Sequence, residues 1–142
     1  MDTAGVNGIS HITFIVSDLD RTSHMIEHIF DAQEVYSSGD DTYSYSKEKY
    51  FTINGIWIAI MQGEPLPVKT YNHVAFKISE EYYDDYLERV NALGLEIKTG
   101  RDRISGEGRS IYFYDYDNHL FELHTGSLED RLREYDDKGG DK

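Results

Sequence analysis

The chain has 142 residues, 39% of them apolar and 13% aromatic, enough for a compact domain with a core and too much for a disordered segment. Its 27 acidic and 14 basic residues give a formal charge of −13, so phosphate backbones and anionic lipid are repelled; neither nucleic acid nor a membrane is expected as a partner. The absence of cysteine excludes disulfides, thiolate–zinc sites and a cysteine nucleophile, and no basic leader or membrane-length apolar run is visible, so a soluble cytoplasmic protein is expected.

After a loose start, "SHITFIVS" alternates as a strand, with Ile12, Phe14 and Val16 on one face and His11, Thr13 and Ile15 on the other. A helix follows, capped by Ser17 or Asp20, with Met25, Ile26, Ile29 and Phe30 as its apolar stripe. "EVYSS", a "GDD" turn, "TYSYSKE" and "GIWIAIMQ" read as three further strands, and the two prolines of "EPLP" mark a linker. The pattern then restarts. "NHVAFKIS" is a strand, with Val74, Phe76 and Ile78 opposite His73, Ala75 and Lys77. "EEYYDDYLERVNALG" is a helix stopped at Gly94, and "LEIKT", "RSIYFYD" and "HLFELHT" are strands separated by "SGEG" and "DYDN". Ser127 starts a last helix, "SLEDRLREY", with Asp130 at the capping-box position.

The restart is an internal repeat. At a shift of 62, His11 meets His73, Phe14 meets Phe76, Ser17 meets Ser79, Glu34 meets Glu96 and Val35 meets Ile97. Both copies read β-α-β-β-β. One copy alone leaves a naked sheet face, so the two must pair within the chain or across a dimer. The expected organisation is one domain over 1–142, with module one at about 8–63, module two at about 70–126 and a C-terminal helix at about 127–135.

Each copy carries a histidine on its first strand, opposite the row that packs on the helix. Such a histidine lines a cleft rim or binds metal, and two at equivalent positions favour the second reading. The same shift places Glu122 at Ile60, an apolar position of the other copy, with Ile60 facing an open side. A mid-strand carboxylate persists when paired with a cation such as Arg131 or Arg109, or when bound to a metal. Two imidazoles and one carboxylate suit Mn²⁺, Fe²⁺ or a similar ion. His119 lies on the wrong face of its strand, and His124 reads as a rim group or a support for the ligand. "HMIEH" matches an inverted zinc-peptidase motif but reads as a solvated helix face.

Paired modules bearing His11, His73 and Glu122 resemble the vicinal oxygen chelate superfamily. Within it, "SHITFIVSDL", "YSSGD", "SKEKYF", "TYNHVAFKI" and "GEGRSIYFYDYDNHLFELHTGSLEDRL" are similar to the fosfomycin-hydrolysing FosX subfamily, over roughly residues 8–135. The resemblance implies an α+β vicinal oxygen chelate fold in a swapped homodimer, with a site shared between subunits. It implies Mn²⁺ held by His73 and Glu122 of one subunit and His11 of the other. It makes Glu48 the general base, and places Thr13, Ser110, Tyr112 and Arg131, with Tyr71 and Arg103 as further candidates, around fosfomycin or a related phosphonate. No potassium loop of the glutathione-dependent relatives is recognisable.

The implied activity is Mn²⁺-dependent epoxide hydrolysis to a vicinal diol, a fosfomycin-resistance reaction. The residues leave open a transferase using an external thiol, an enzyme of phosphonate metabolism and a non-catalytic phosphonate binder. Glu48, between Lys47 and Lys49, also reads as part of a solvated edge strand.

Overall fold

A computed structural model of the protein describes residues 5–41, 44–98 and 108–140, with side chains to residue 137. The chain divides after Leu66, between the prolines of "EPLP", into unit 1, Met1–Leu66, and unit 2, Pro67–Lys142. Unit 1 runs β1 (His11–Val16), α1 (Leu19–Phe30), β2 (Gln33–Ser37), β3 (Glu48–Ile53) and β4 (Ile56–Gln62). Unit 2 runs β5 (His73–Lys77), a 3₁₀ turn (Glu80–Tyr82), α2 (Tyr83–Ala92), β6 (Ile97–Lys98), β7 (Ser110–Tyr114), β8 (Leu120–His124) and α3 (Leu128–Gly140). The predicted β-α-β-β-β order is present in both.

The two sheets share one topology: β1-β4-β3-β2 and β5-β8-β7-β6. In each, the first strand runs parallel to the last, because a helical crossover separates them, and the remaining pairs are antiparallel. In unit 1 Phe14, Val16, Phe51, Ile53, Ile58 and Ile60 are buried along with Met25, Ile26, Ile29 and Phe30 of α1. At about 1.5–3 kcal/mol for each fully buried side chain of this kind, the stripe of α1 alone anchors the helix. In unit 2 Phe76, Ile111, Phe113, Phe121 and Leu123 are buried, as is Val90 of α2, and the Phe113 and Phe121 rings stack at 5.4 Å.

Three local readings change. The cap of α1 is Asp18, whose Oδ1 accepts from Arg21 N at 3.0 Å, and neither Ser17 nor Asp20 fills that role. The strand expected at "TYSYSKE" begins only at Glu48 and continues through "KYFTI". Its end is set by Asn54–Gly55, both at positive φ (47° and 83°), a two-residue turn that closes the β3–β4 hairpin with Ile53 opposite Ile56. The last helix begins as expected, with Ser127 Oγ accepting from Asp130 N at 3.1 Å, and extends to Gly140.

The register also moves the repeat by one residue at its end. Thr13 lies opposite Ala59, and its counterpart Ala75 lies opposite Glu122. The structural counterpart of Glu122 is therefore Ala59, 63 residues back, not Ile60. The second hairpin, Tyr114↔Leu120, holds one residue more than the matching Thr52↔Trp57 segment. A slip of one residue reverses the face of a strand, and Ile60 is a core residue, 1% exposed, on the face that carries Phe51 and Phe14.

Candidate active site

In unit 2 the face opposite the phenylalanine core carries His73, Ala75, Tyr112, Ser110, Glu122 and His124, all placed there by strand alternation and pairing. Ala75 sits directly beside Glu122, and its small side chain leaves room. A cavity of about 290 Å³ opens here, lined by His73, Ala75, Glu122 and His124 with Gly126, Ser127, Leu128 and Arg131 from the start of α3.

The histidine and the carboxylate are set for a cation. His73 Nδ1 lies 2.7 Å from the Tyr71 carbonyl, which can only accept, so that nitrogen carries the hydrogen. A neutral His73 then turns the Nε2 lone pair toward Glu122 Oε1, 3.0 Å away. Two lone pairs at that separation are stable only with positive charge, either a second ring proton or a metal ion held by both. Glu122 is only 4% exposed, which raises the cost of leaving its charge uncompensated. A nitrogen and an oxygen donor with open positions fit Mn²⁺.

Around this pair, Ser110 Oγ donates to Glu122 Oε2 at 2.5 Å and lies 2.7 Å from His124 Nδ1. Arg131 reaches His124 Nε2 at 3.2 Å, and Tyr71 donates its hydroxyl to Tyr112 at 3.1 Å. Arg109, the other cation considered for Glu122, pairs instead with Glu80 at 2.6 Å and lies over the Tyr83 ring at 3.8 Å. Hydrogen bonds from Thr125 and then Arg109 hold the Glu80 carboxyl below its ordinary pKa. His119 is occupied elsewhere, its Nδ1 2.8 Å from Asp115 Oδ2, and it braces the turn before β8.

In unit 1 the corresponding face carries His11, Thr13, Trp57, Ala59, Tyr50 and Glu48. His11 is exposed, with Ser10 Oγ 2.9 Å from its Nδ1 and its ring against Trp57 at 4.1 Å. Glu48 is not on a solvated edge: β3 is an interior strand, and Glu48 is 4% exposed. Its backbone is fixed in both directions by Ser38, at 3.0 Å each. It lines a cavity of about 490 Å³ with Ser17, Asp18, Ser37, Lys47 and Gln62 among others. The neighbouring Tyr50 hydroxyl has a raised pKa, through burial first and then the charge and hydrogen bond of Glu48. Lys49 points to the other face, bridging Glu34 at 3.2 Å and Asp20 at 3.4 Å. Burial pushes its pKa down, and those two carboxylates more than reverse it. On α1, His24 and His28 are exposed with rings 6.2 Å apart, as the solvated-face reading requires.

Unit 2 thus brings together His73, Glu122, Ser110, Tyr112, Tyr71 and Arg131, and unit 1 presents His11, Thr13 and Glu48; Arg103 lies outside the described residues. The sequence reading passed over three residues. Trp57 packs on His11, Tyr50 borders Glu48, and Lys98 stands 5.7 Å from the Tyr71 ring centroid. Alternation around the Asn54–Gly55 hairpin was the signal for the first two; Lys98 had none, because the strand that carries it is two residues long.

The family model for the Glyoxalase/Bleomycin resistance protein/Dioxygenase superfamily matches residues 8–123. The chain belongs to this superfamily. Within it, the chain is 62% identical over 130 residues to the fosfomycin resistance protein FosX of Listeria innocua serovar 6a, covering 92% of this chain and 98% of that one. It is 39% identical over 137 residues to the metallothiol transferase FosB of Shouchella clausii, covering 92% and 88%. The crystal structure of a FosX point mutant from Listeria monocytogenes, complexed with Mn(II) and 1S,2S-dihydroxypropylphosphonic acid, superposes with a TM-score of 0.85 at 56% identity, covering 92% of this chain and 99% of that one. Among superfamily members this chain is therefore more like FosX than FosB, and its paired β-α-β-β-β units are the superfamily's fold.

Proposed function

We propose that this protein hydrolyses the epoxide of fosfomycin, water opening the ring to a vicinal diol, with Mn²⁺ as its cofactor. One observation carries the reading: the FosX structure at 56% identity holds Mn(II) and a dihydroxyphosphonate. A diol is what water leaves behind, whereas a thiol nucleophile would leave a thioether. His73 and Glu122, with His11 from a partner subunit, would hold the ion. When bound, it supplies Lewis acidity to the departing ring oxygen and positive charge to the substrate's oxygens.

The chain's own residues do the rest. The Arg131 guanidinium at the cavity wall has the planar fork suited to phosphonate oxygens, and Lys98 adds a second positive charge near Tyr71. The Tyr71, Tyr112 and Thr13 hydroxyls, and Arg103, are further substrate contacts in this reading. Glu48 accepts a proton from water as the water oxygen attacks the ring carbon and the ring C–O bond breaks; the opened oxygen takes a proton from solvent water to become the second hydroxyl, and Glu48 returns its proton to solvent. A base on an interior strand, anchored by Ser38 and bordered by Tyr50, is held in one place for that transfer.

The supporting organisation is a single domain over 1–142 made of the two units, paired as a swapped homodimer in which each site combines the His11 face of one subunit with the His73 face of the other. No helix among the described residues is long and apolar enough to cross a membrane, and the acidic surface disfavours nucleic acid; we place the protein in the cytoplasm. The test is product chromatography with fosfomycin and Mn²⁺, with and without glutathione or cysteine. Diol in the absence of thiol is expected; turnover only with thiol would assign the protein to transferase chemistry instead.

A further inference from the structure

The two oxygens of Glu122 have different surroundings. Oε1 faces His73 Nε2 at 3.0 Å, and Oε2 accepts from Ser110 Oγ at 2.5 Å and lies 3.3 Å from His124 Nδ1. The hydrogens in this cluster can be assigned by elimination. A guanidinium only donates, so at the 3.2 Å contact with Arg131 it is His124 Nε2 that accepts. The hydrogen of a neutral His124 therefore sits on Nδ1, where Ser110 Oγ receives it at 2.7 Å. Ser110 spends its own hydrogen on Glu122 Oε2. The chain from Arg131 through His124 and Ser110 to Glu122 thus runs in one donor direction and ends on the carboxylate. All three strand residues lie on one sheet face, with Ser110 opposite His124 and Tyr112 opposite Glu122, so the chain is built on rigid β-ladder positions.

We propose that His124 is a positioning residue for the metal-binding carboxylate: tied to α3 by Arg131, it orients Ser110 so that Glu122 Oε2 is engaged and Oε1 is turned to the ion. Ser110 accordingly serves the carboxylate, beyond the substrate contact expected from the resemblance. Arg131 has two tasks, since it also sets which nitrogen of His124 carries hydrogen. The inference rests on the metal reading above. Partners of this kind are worth about 10–100-fold in metal affinity, because an unheld carboxylate must be ordered when the ion binds.

The experiment is a Mn²⁺ titration of metal-free protein, followed by the electron paramagnetic resonance of free Mn²⁺, alongside thermal melting without metal. Ser110→Ala and His124→Leu are expected to weaken Mn²⁺ binding about 10–100-fold, and the double variant to lose little more than the worse single one, because both act along one path. His124→Asn, whose amide N–H stands near the position of Nδ1–H, is expected to retain affinity to within about threefold. Wild type that fails to bind Mn²⁺ would overturn the metal reading itself. Wild type that binds, with Ser110→Ala and His124→Leu binding equally well, would overturn only the positioning role, as would a loss in His124→Asn as large as in His124→Leu. Should His124→Leu not fold, the contrast between Ser110→Ala and His124→Asn decides the question.

Discussion

The open faces of the two sheets match position by position: His11 with His73, Tyr50 with Tyr112, Glu48 with Ser110, and Ala59 with Glu122. Each face carries a buried carboxylate, but at a different place. In unit 2 it stands on the last strand beside the first-strand histidine, with Nε2 and Oε1 3.0 Å apart. In unit 1 that place is alanine, and the carboxylate stands on β3 next to a tyrosine hydroxyl. Among the differences between the two faces, Glu48 against Ser110 and Ala59 against Glu122 move the buried carboxylate from one strand to another. In the function proposed above, the unit 2 carboxylate helps to hold the cation, and the unit 1 carboxylate is the proton acceptor apart from it. Had Glu48 stood beside His11 as Glu122 stands beside His73, the cation would have claimed it.

The largest effect should come from erasing the difference in unit 2. Glu122→Ala restores the residue of unit 1, and is expected to abolish tight Mn²⁺ binding and lower diol formation by roughly 10³-fold or more, several kcal/mol of transition-state stabilisation, read by metal titration and product chromatography. Erasing it in unit 1 is subtler. Glu48→Gln should lower hydrolysis by about 10²–10⁴-fold while Mn²⁺ affinity stays within about twofold, since in the proposed role Glu48 takes a proton from water and is not a ligand of the ion. Undiminished turnover in that variant would remove Glu48 from the reaction.

A third comparison concerns the residue two before each of these strand starts. In unit 1 it is Ser46, whose Oγ donates to the Gln62 carbonyl at 2.7 Å. In unit 2 it is Gly108, at φ 86°, where an added Cβ would fall 2.6 Å from the Gly126 backbone nitrogen at the cavity wall. Gly108→Ala should therefore cost about 1–3 kcal/mol in denaturant unfolding, through both the left-handed backbone and the clash. Ser46→Ala should cost about 1 kcal/mol or less.

The smallest effect is a titration. The Tyr50 pKa is raised by burial first, then by Glu48, so the neutral hydroxyl is the form favoured by folding. Its contribution to stability is complete below the pKa of an unfolded tyrosine and is lost as pH rises through the higher folded value. Ultraviolet difference titration should show one tyrosine ionising earlier in Glu48→Gln than in wild type. It should remain above the ordinary range, because burial persists.

Much of this was legible without coordinates. Period-two alternation assigned faces to β1 and β5, and so put His11 and His73 opposite the core, because side-chain direction in a strand is a local property. The apolar stripe of α1 and the Ser127 cap are local in the same sense. The β3 strand was misplaced because "TYSYS" alternates as well as "EKYFTI" does, and only pairing with β4 from the Asn54–Gly55 turn distinguishes them.

What the sequence by itself determined was the inventory: two copies of one scaffold, two equivalent histidines, and one carboxylate where the scaffold is otherwise apolar. Tertiary structure decided the partnerships. It showed that Glu122 answers to Ala59 and not Ile60, because strand register is fixed by pairing and a single inserted residue in a hairpin turns the comparison over. It also placed Arg131, from the helix after β8, against His124, and buried Glu48 on an interior strand although lysines flank it. Those outcomes depend on contacts between residues that pattern along the chain does not connect, so no reading of spacing alone could have supplied them.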